Sequence, residues 1–176
     1  MPLQRPQPTE HAPHHQQYLS LVSGPVLDAL HAQKRSLPQF LAGVSEADAD
    51  HRYAPGKWSI REVVGHISDA ERIYQFRALA FARGDAAAMP RYDPDGYVEQ
   101  AGFDRRTMGS LIDEFLAVRE STLQFFAGLD AAAWDRKGTV ANAPLSVRAL
   151  AFIAAGHAQR HLNVLAERYG VVAPGA

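Results

Sequence analysis

The chain has 176 residues, 47% of them hydrophobic and 21% charged, with a formal net charge of −1. These values fit one globular domain large enough to bury a core, and the near-neutral charge argues against nucleic acid or an anionic membrane surface as the main partner. Cysteine is absent, which excludes a disulfide framework, a thiolate metal site and a cysteine nucleophile. Neither a signal-peptide core nor a bilayer-length apolar run is visible, so the expected location is the cytoplasm.

Residues 1–17 are rich in Pro, His and Gln and read as a flexible arm, followed by a single domain over 18–176. A first helix is expected from Pro25 to Ala42, with Val26, Leu27, Leu30, Leu37 and Leu41 as its apolar stripe. Pro38 would kink or split it. The stretch Tyr53-Ala-Pro-Gly-Lys57 reads as a turn. Ser59 and Glu62 then form a capping box, and Trp58 is placed to staple onto Val63. Ile60, Val63, Val64, Ile67, Ala70, Tyr74, Ala78 and Phe81 recur at helical spacing, and Gly84 stops the second helix.

The next segment, 85–103, holds Pro90, Pro94, Gly96 and Gly102. About 19 extended residues reach roughly 60 Å, whereas a helix of about 24 residues is roughly 36 Å long. This connection can therefore run the length of a bundle, leave the second and third helices parallel, and cover a site. The third helix is expected from Asp104 to Ala127, with Met108, Leu111, Phe115, Val118, Thr122, Phe125 and Leu129 on its bundle face. Lys137 to Asn142 reads as a short extended stretch. The fourth helix is expected from Ser146 to Tyr169, before Gly170. The predicted fold is all-α: a four-helix bundle with a long crossover between helices two and three.

Two histidines of the fourth helix carry the functional signal. His157 and His161 lie four residues apart, on one helix face. The spacing alone decides little, because His11 and His15 share it. What distinguishes His157 and His161 is that both fall within the apolar stripe. Two adjacent imidazoles there have few local partners, and an unpaired buried polar group costs about 1–3 kcal/mol. A metal ion satisfies one nitrogen of each ring at once. His66 lies at the edge of the second helix's stripe and is a candidate third ligand. Asp69, one turn further on, is a candidate orienter or base, with a solvated role or a pairing with Arg72 or Arg77 as the alternative. Arg119 lies beside the bundle face of the third helix as a candidate anion contact, with a structural salt bridge as the alternative. Glu71, near an apolar stripe, is expected to pack with a buried arginine. Tyr92, Asp93 and Tyr97 are candidates for a pocket mouth or for anchoring the crossover.

These residues resemble a family. Trp58-Ser-Ile-Arg-Glu-Val-Val-Gly-His66-Ile-Ser-Asp69-Ala-Glu71-Arg resembles the second-helix signature of the DinB/YfiT-like superfamily, and Ala155-Gly-His157-Ala-Gln-Arg-His161-Leu-Asn-Val-Leu its fourth-helix signature. The tract Tyr92-Asp93-Pro-Asp95-Gly-Tyr97-Val and Arg119 are similar to its crossover and third helix. The resemblance covers about residues 25–170. It implies a four-helix bundle, a metal held by His66, His157 and His161, and a homodimer. Arg160 departs from the pattern, since relatives often carry a histidine there, but it should point away from His157.

The family includes bacillithiol- and mycothiol-dependent transferases. Three neutral histidines with an open position suit Zn²⁺ or Ni²⁺. Such an ion can lower the pKa of water to about 7 or bind an external thiol as thiolate. The leading expectation is transfer of a low-molecular-weight thiol to a small-molecule electrophile. Metal-dependent hydrolysis and a non-catalytic, stress-responsive metal-binding or interaction module are the alternatives.

Overall fold

The computed structural model describes residues 3–85 and 87–173. Its helices are α1 (Gln16–Leu19), α2 (Val26–Leu41), α3 (Ile60–Ala82), α4 (Pro94–Ala101), α5 (Met108–Ala127), α6 (Ala131–Asp135) and α7 (Val147–Tyr169), and strands β1 (Lys137–Val140) and β2 (Ala143–Ser146) precede α7. Local chemistry sets the ends of the long helices. The Ser59 hydroxyl accepts from the Glu62 N–H at 3.2 Å, and Glu62 accepts from the Ser59 N–H at 2.6 Å, closing the expected capping box on α3. The Ser146 hydroxyl accepts from the Ala149 N–H at 2.9 Å to start α7, and Gly170 ends it at φ 69°, the left-handed conformation that favours glycine. The helix expected from Asp104 starts instead at Met108. Thr107 caps it, and residues Phe103–Arg105 form a separate 3-10 turn. Pro38 does not split α2, which continues through it to Leu41.

Side-chain pairings give the helix directions. Between α3 and α5, Arg72 pairs with Glu114 and Gln75 donates to Ser121, while Arg61 reaches the Arg106 carbonyl just ahead of α5. The numbers rise together, so the two helices are parallel. Between α3 and α7 they run oppositely: the Tyr169 hydroxyl donates to the Trp58 carbonyl at 2.6 Å, and Tyr74 lies against His157. Along α2, Leu30 joins the core region of Phe126 and Leu150, while Leu37 and Leu41 join that of Leu111 and Leu165. Thus α2 and α7 run one way and α3 and α5 the other. The expected crossover does span the bundle, and it is not all loop: it contains α4, started by Pro94 and capped by the Asp93 side chain. Arg61 fastens it: the guanidinium donates to Asp50 at 2.9 Å, to Glu46 at 2.6 Å and to the Arg106 carbonyl at 2.5 Å. Gly65 admits it, because a Cβ there would lie 2.4 Å from the Phe103 ring.

The extended stretch at Lys137–Asn142 is half of a hairpin. β1 and β2 pair antiparallel, from Lys137 opposite Ser146 to Val140 opposite Ala143. The link is Ala141 and Asn142, both at positive φ (48° and 65°), as a tight two-residue hairpin turn requires. Met89 of the crossover pairs with the β1 side through the Thr139 carbonyl and the Ala141 N–H.

One expectation is corrected. The described part of the supposed flexible arm, 3–17, is packed on the bundle. Arg5 donates to the carbonyls of Val22 and Leu19, Glu10 pairs with Arg148, and His11 and Ala12 are buried. Composition masked this, because the contacts are made by single residues and not by an apolar run. Among the described residues, no helix is long and apolar enough to cross a membrane.

Candidate metal centre

The three histidines converge where α3 and α7 face each other. His66 and His157 are both 4% exposed, and His161 is half-buried one turn along α7. The Nε2 atom of His157 lies 3.1 Å from that of His66 and 3.2 Å from that of His161. Ligands about 2.0–2.1 Å from one tetrahedral ion stand about 3.3 Å apart; these two pairs are close to that spacing, and all three ligand atoms lie within 4.8 Å of one another. Aromatic neighbours hold them. Trp58 lies 4.6 Å, between ring centroids, from His66 and stacks near His161, and the rings of Tyr18 and Tyr74 meet that of His157 in T-shaped contacts with centroids 5.5 Å apart.

Hydrogen bonding alone does not account for this contact. Burial, reinforced by His161, lowers the His66 pKa to about 3. Burial, reinforced by Arg160, lowers that of His161 to about 4. His157 is held well below the ordinary range by burial and by its two neighbours. All three rings are therefore neutral at pH 7. A neutral imidazole nitrogen either carries one proton or offers one lone pair. The His157 Nε2 can thus form one ordinary hydrogen bond, not two, with the nitrogens on either side. A cation facing three lone pairs resolves the conflict, and the donor set fits a borderline-soft divalent ion.

The triad lies in the wall of a cavity of about 480 Å³. Tyr74, Arg77, Tyr92 and the hairpin residues from Ala143 to Leu145 line it, as do His14, His15 and Tyr18 of the N-terminal segment. That segment reaches α7 because Gly156 has no side chain: a Cβ there would meet the Tyr18 carbonyl oxygen at 2.1 Å. Exposed His14 and Arg91 stand at the rim.

Comparison with known proteins agrees with this architecture. The family model of the DinB superfamily matches residues 29–165. The chain belongs to the DinB superfamily. His66, His157 and His161 all lie within the matched region. Among solved structures, YfiT from Bacillus subtilis, described as a probable metal-dependent hydrolase with an unusual four-helix bundle topology, aligns with a TM-score of 0.72. The alignment covers 95% of this chain and 94% of that one at 16% identity, which establishes the shared fold. No curated protein matches this DinB superfamily member.

Two expected site residues lie elsewhere. Arg119 is fully buried and does not line the cavity. Its Nε and Nη2 donate to the two Glu71 oxygens at 2.7 Å each, and its Nη1 donates to the Leu30 carbonyl and to Gln33. With its donors engaged, the expected anion contact gives way to a structural ion pair, the partner foreseen for Glu71. Asp69 pairs with Arg72 at 3.3 Å, is absent from the cavity wall, and makes no hydrogen bond to His66 among the described residues. Tyr92 does line the cavity. Tyr97 lies outside, its ring centroid 5.5 Å from that of Tyr92. Arg77, Tyr18 and the N-terminal histidines were missed as cavity residues. The one signal for Arg77 was an arginine on the apolar side of α3.

Proposed function

We propose that this DinB superfamily protein is a metal-dependent enzyme that transfers a low-molecular-weight thiol to a small electrophile, with a divalent ion held by His66, His157 and His161. The observation that carries the reading is the pair of Nε2 contacts, 3.1 and 3.2 Å, that neutral histidines cannot both satisfy. When bound, the ion supplies a Lewis acid that activates a thiol or water. Burial keeps the three imidazoles neutral and ready to bind, while Trp58, Tyr18 and Tyr74 fix the rings. The cavity beside them is the right size for a small molecule. In the transfer, the thiol sulfur bonds to the electrophilic carbon, the leaving group departs with its electron pair, and the thiol proton passes to solvent. With no cysteine in the chain, the thiol comes from outside.

The second reading is metal-dependent hydrolysis, which the description of YfiT favours. A non-catalytic metal-binding module is less well supported, because the triad borders a cavity with a solvent-exposed rim and is not sealed in the core. The deciding experiment incubates metal-loaded protein with a model alkyl halide, with and without bacillithiol, and measures thioether and alcohol. Thioether that forms only with thiol, and is lost in His161→Ala, supports transfer. Alcohol alone supports hydrolysis, and no metal-dependent product from either removes both enzyme readings.

A further inference from the structure

Three arginines are buried among the described residues: Arg61, Arg77 and Arg119. Arg61 is paired with Glu46 and Asp50, and Arg119 with Glu71. Arg77, only 8% exposed, has no carboxylate within ion-pair distance among the described residues. Its one hydrogen bond there runs from Nη2 to the Pro90 carbonyl at 2.8 Å, leaving most of a five-donor fork unused. A buried charge without a counterion is costly, and a planar guanidinium is suited to carboxylate and phosphoryl oxygens. Arg77 lines the same cavity as the triad, about one helical turn beyond Tyr74, whose ring lies 5.5 Å from that of His157.

A second arginine stands on the same wall. It is Arg91, which lines the cavity beside His14 and His15, and among the described residues no acidic side chain does. The His15 Nδ1 is buried without a hydrogen-bond partner. Tyr18, Tyr74 and Tyr92 also line the cavity, and burial pushes the Tyr92 hydroxyl up to about 12, so that ring keeps its proton and can serve as a donor.

We propose that the cavity binds a small molecule bearing a carboxylate or phosphoryl group, with Arg77 holding the anion and the reacting atom placed at His66, His157 and His161. This substrate class rests on the proposed metal-dependent function only for the second contact; the anion contact stands on Arg77 itself.

The test is calorimetric titration of metal-loaded protein with phenylphosphonate and with neutral benzamide. Phenylphosphonate should bind at least about tenfold more tightly, and Arg77→Gln should weaken it roughly 10–100-fold, the range for a lost hydrogen bond to a charged group. Arg77→Lys should keep part of the affinity. In His161→Ala, the Arg77-dependent binding should persist while metal content falls. Equal affinities for the two probes overturn the proposal, as does a phosphonate preference that survives Arg77→Gln. Should Arg77→Gln fail to fold by circular dichroism, the two-probe comparison on metal-depleted His161→Ala decides. Unchanged metal content in His161→Ala counts against the metal centre alone, and an Arg77-independent preference in a one-metal protein counts against the anion site alone.

Discussion

Glu71→Ala isolates the buried ion pair beneath the site. Arg119 is fully buried and Glu71 is 2% exposed, and the carboxylate accepts two hydrogen bonds at 2.7 Å from one guanidinium. Removing the carboxylate leaves the Arg119 charge in the core without a counterion, with the Leu30 carbonyl, Gln33 and the Phe115 ring as its remaining partners. Breaking a buried pair in this way costs about 3–5 kcal/mol. For a chain of this length, 1 kcal/mol moves the midpoint of thermal unfolding by roughly 2–4 °C, so the expected drop is roughly 6–20 °C. Differential scanning calorimetry and urea titration on metal-free protein measure it without interference from metal binding. The double variant Glu71→Met with Arg119→Met should recover much of the loss, because it removes the stranded charge. A cost below about 1 kcal/mol for Glu71→Ala, or a double variant less stable than the single one, would refute the assignment of Arg119 to the core.

Two further outcomes follow from the same geometry. The triad rings stay neutral in the folded chain, with His66 neutral down to about pH 3 and His161 to about pH 4, whereas unfolded histidine takes up a proton near 6.5. The unfolded state therefore binds more protons between these values, so metal-free protein should lose stability as pH falls from about 6.5 toward 4. Urea midpoints that match at pH 7 and pH 5 would contradict this. Gly156→Ala drives a Cβ into the Tyr18 backbone, which should cost about 1–3 kcal/mol and release the N-terminal segment to proteolysis. Unchanged cleavage before Tyr18 would show that the close approach is not needed.

The sequence carried the fold wherever the signals were local. Ser59 with Glu62, Ser146 and Gly170 bounded α3 and α7 because caps are satisfied within one turn. The apolar stripes gave the helix faces, and hence the facing of His157 and His161. The N-terminal segment was misread because its docking depends on long-range fits: Arg5 to two carbonyls, and Tyr18 against a glycine far away in the chain. β2 was invisible because a short strand containing Pro144 has little strand signature without its partner. Arg119 and Arg77 had similar sequence settings, each an arginine near an apolar face. Only the structure separates them, since Glu71 meets one and, among the described residues, no carboxylate meets the other.

The central claim is that His66, His157 and His161 hold a divalent metal ion. Elemental analysis of tag-free protein by inductively coupled plasma mass spectrometry, beside His66→Ala and His161→Ala of confirmed helical content, tests it most directly. The account predicts about one Zn²⁺ or Ni²⁺ per chain in the unaltered protein, as expected for a single three-histidine site, and loss of most of it in each variant. Metal content unchanged in both variants, or no metal retained by the unaltered protein after incubation with either ion, would contradict it.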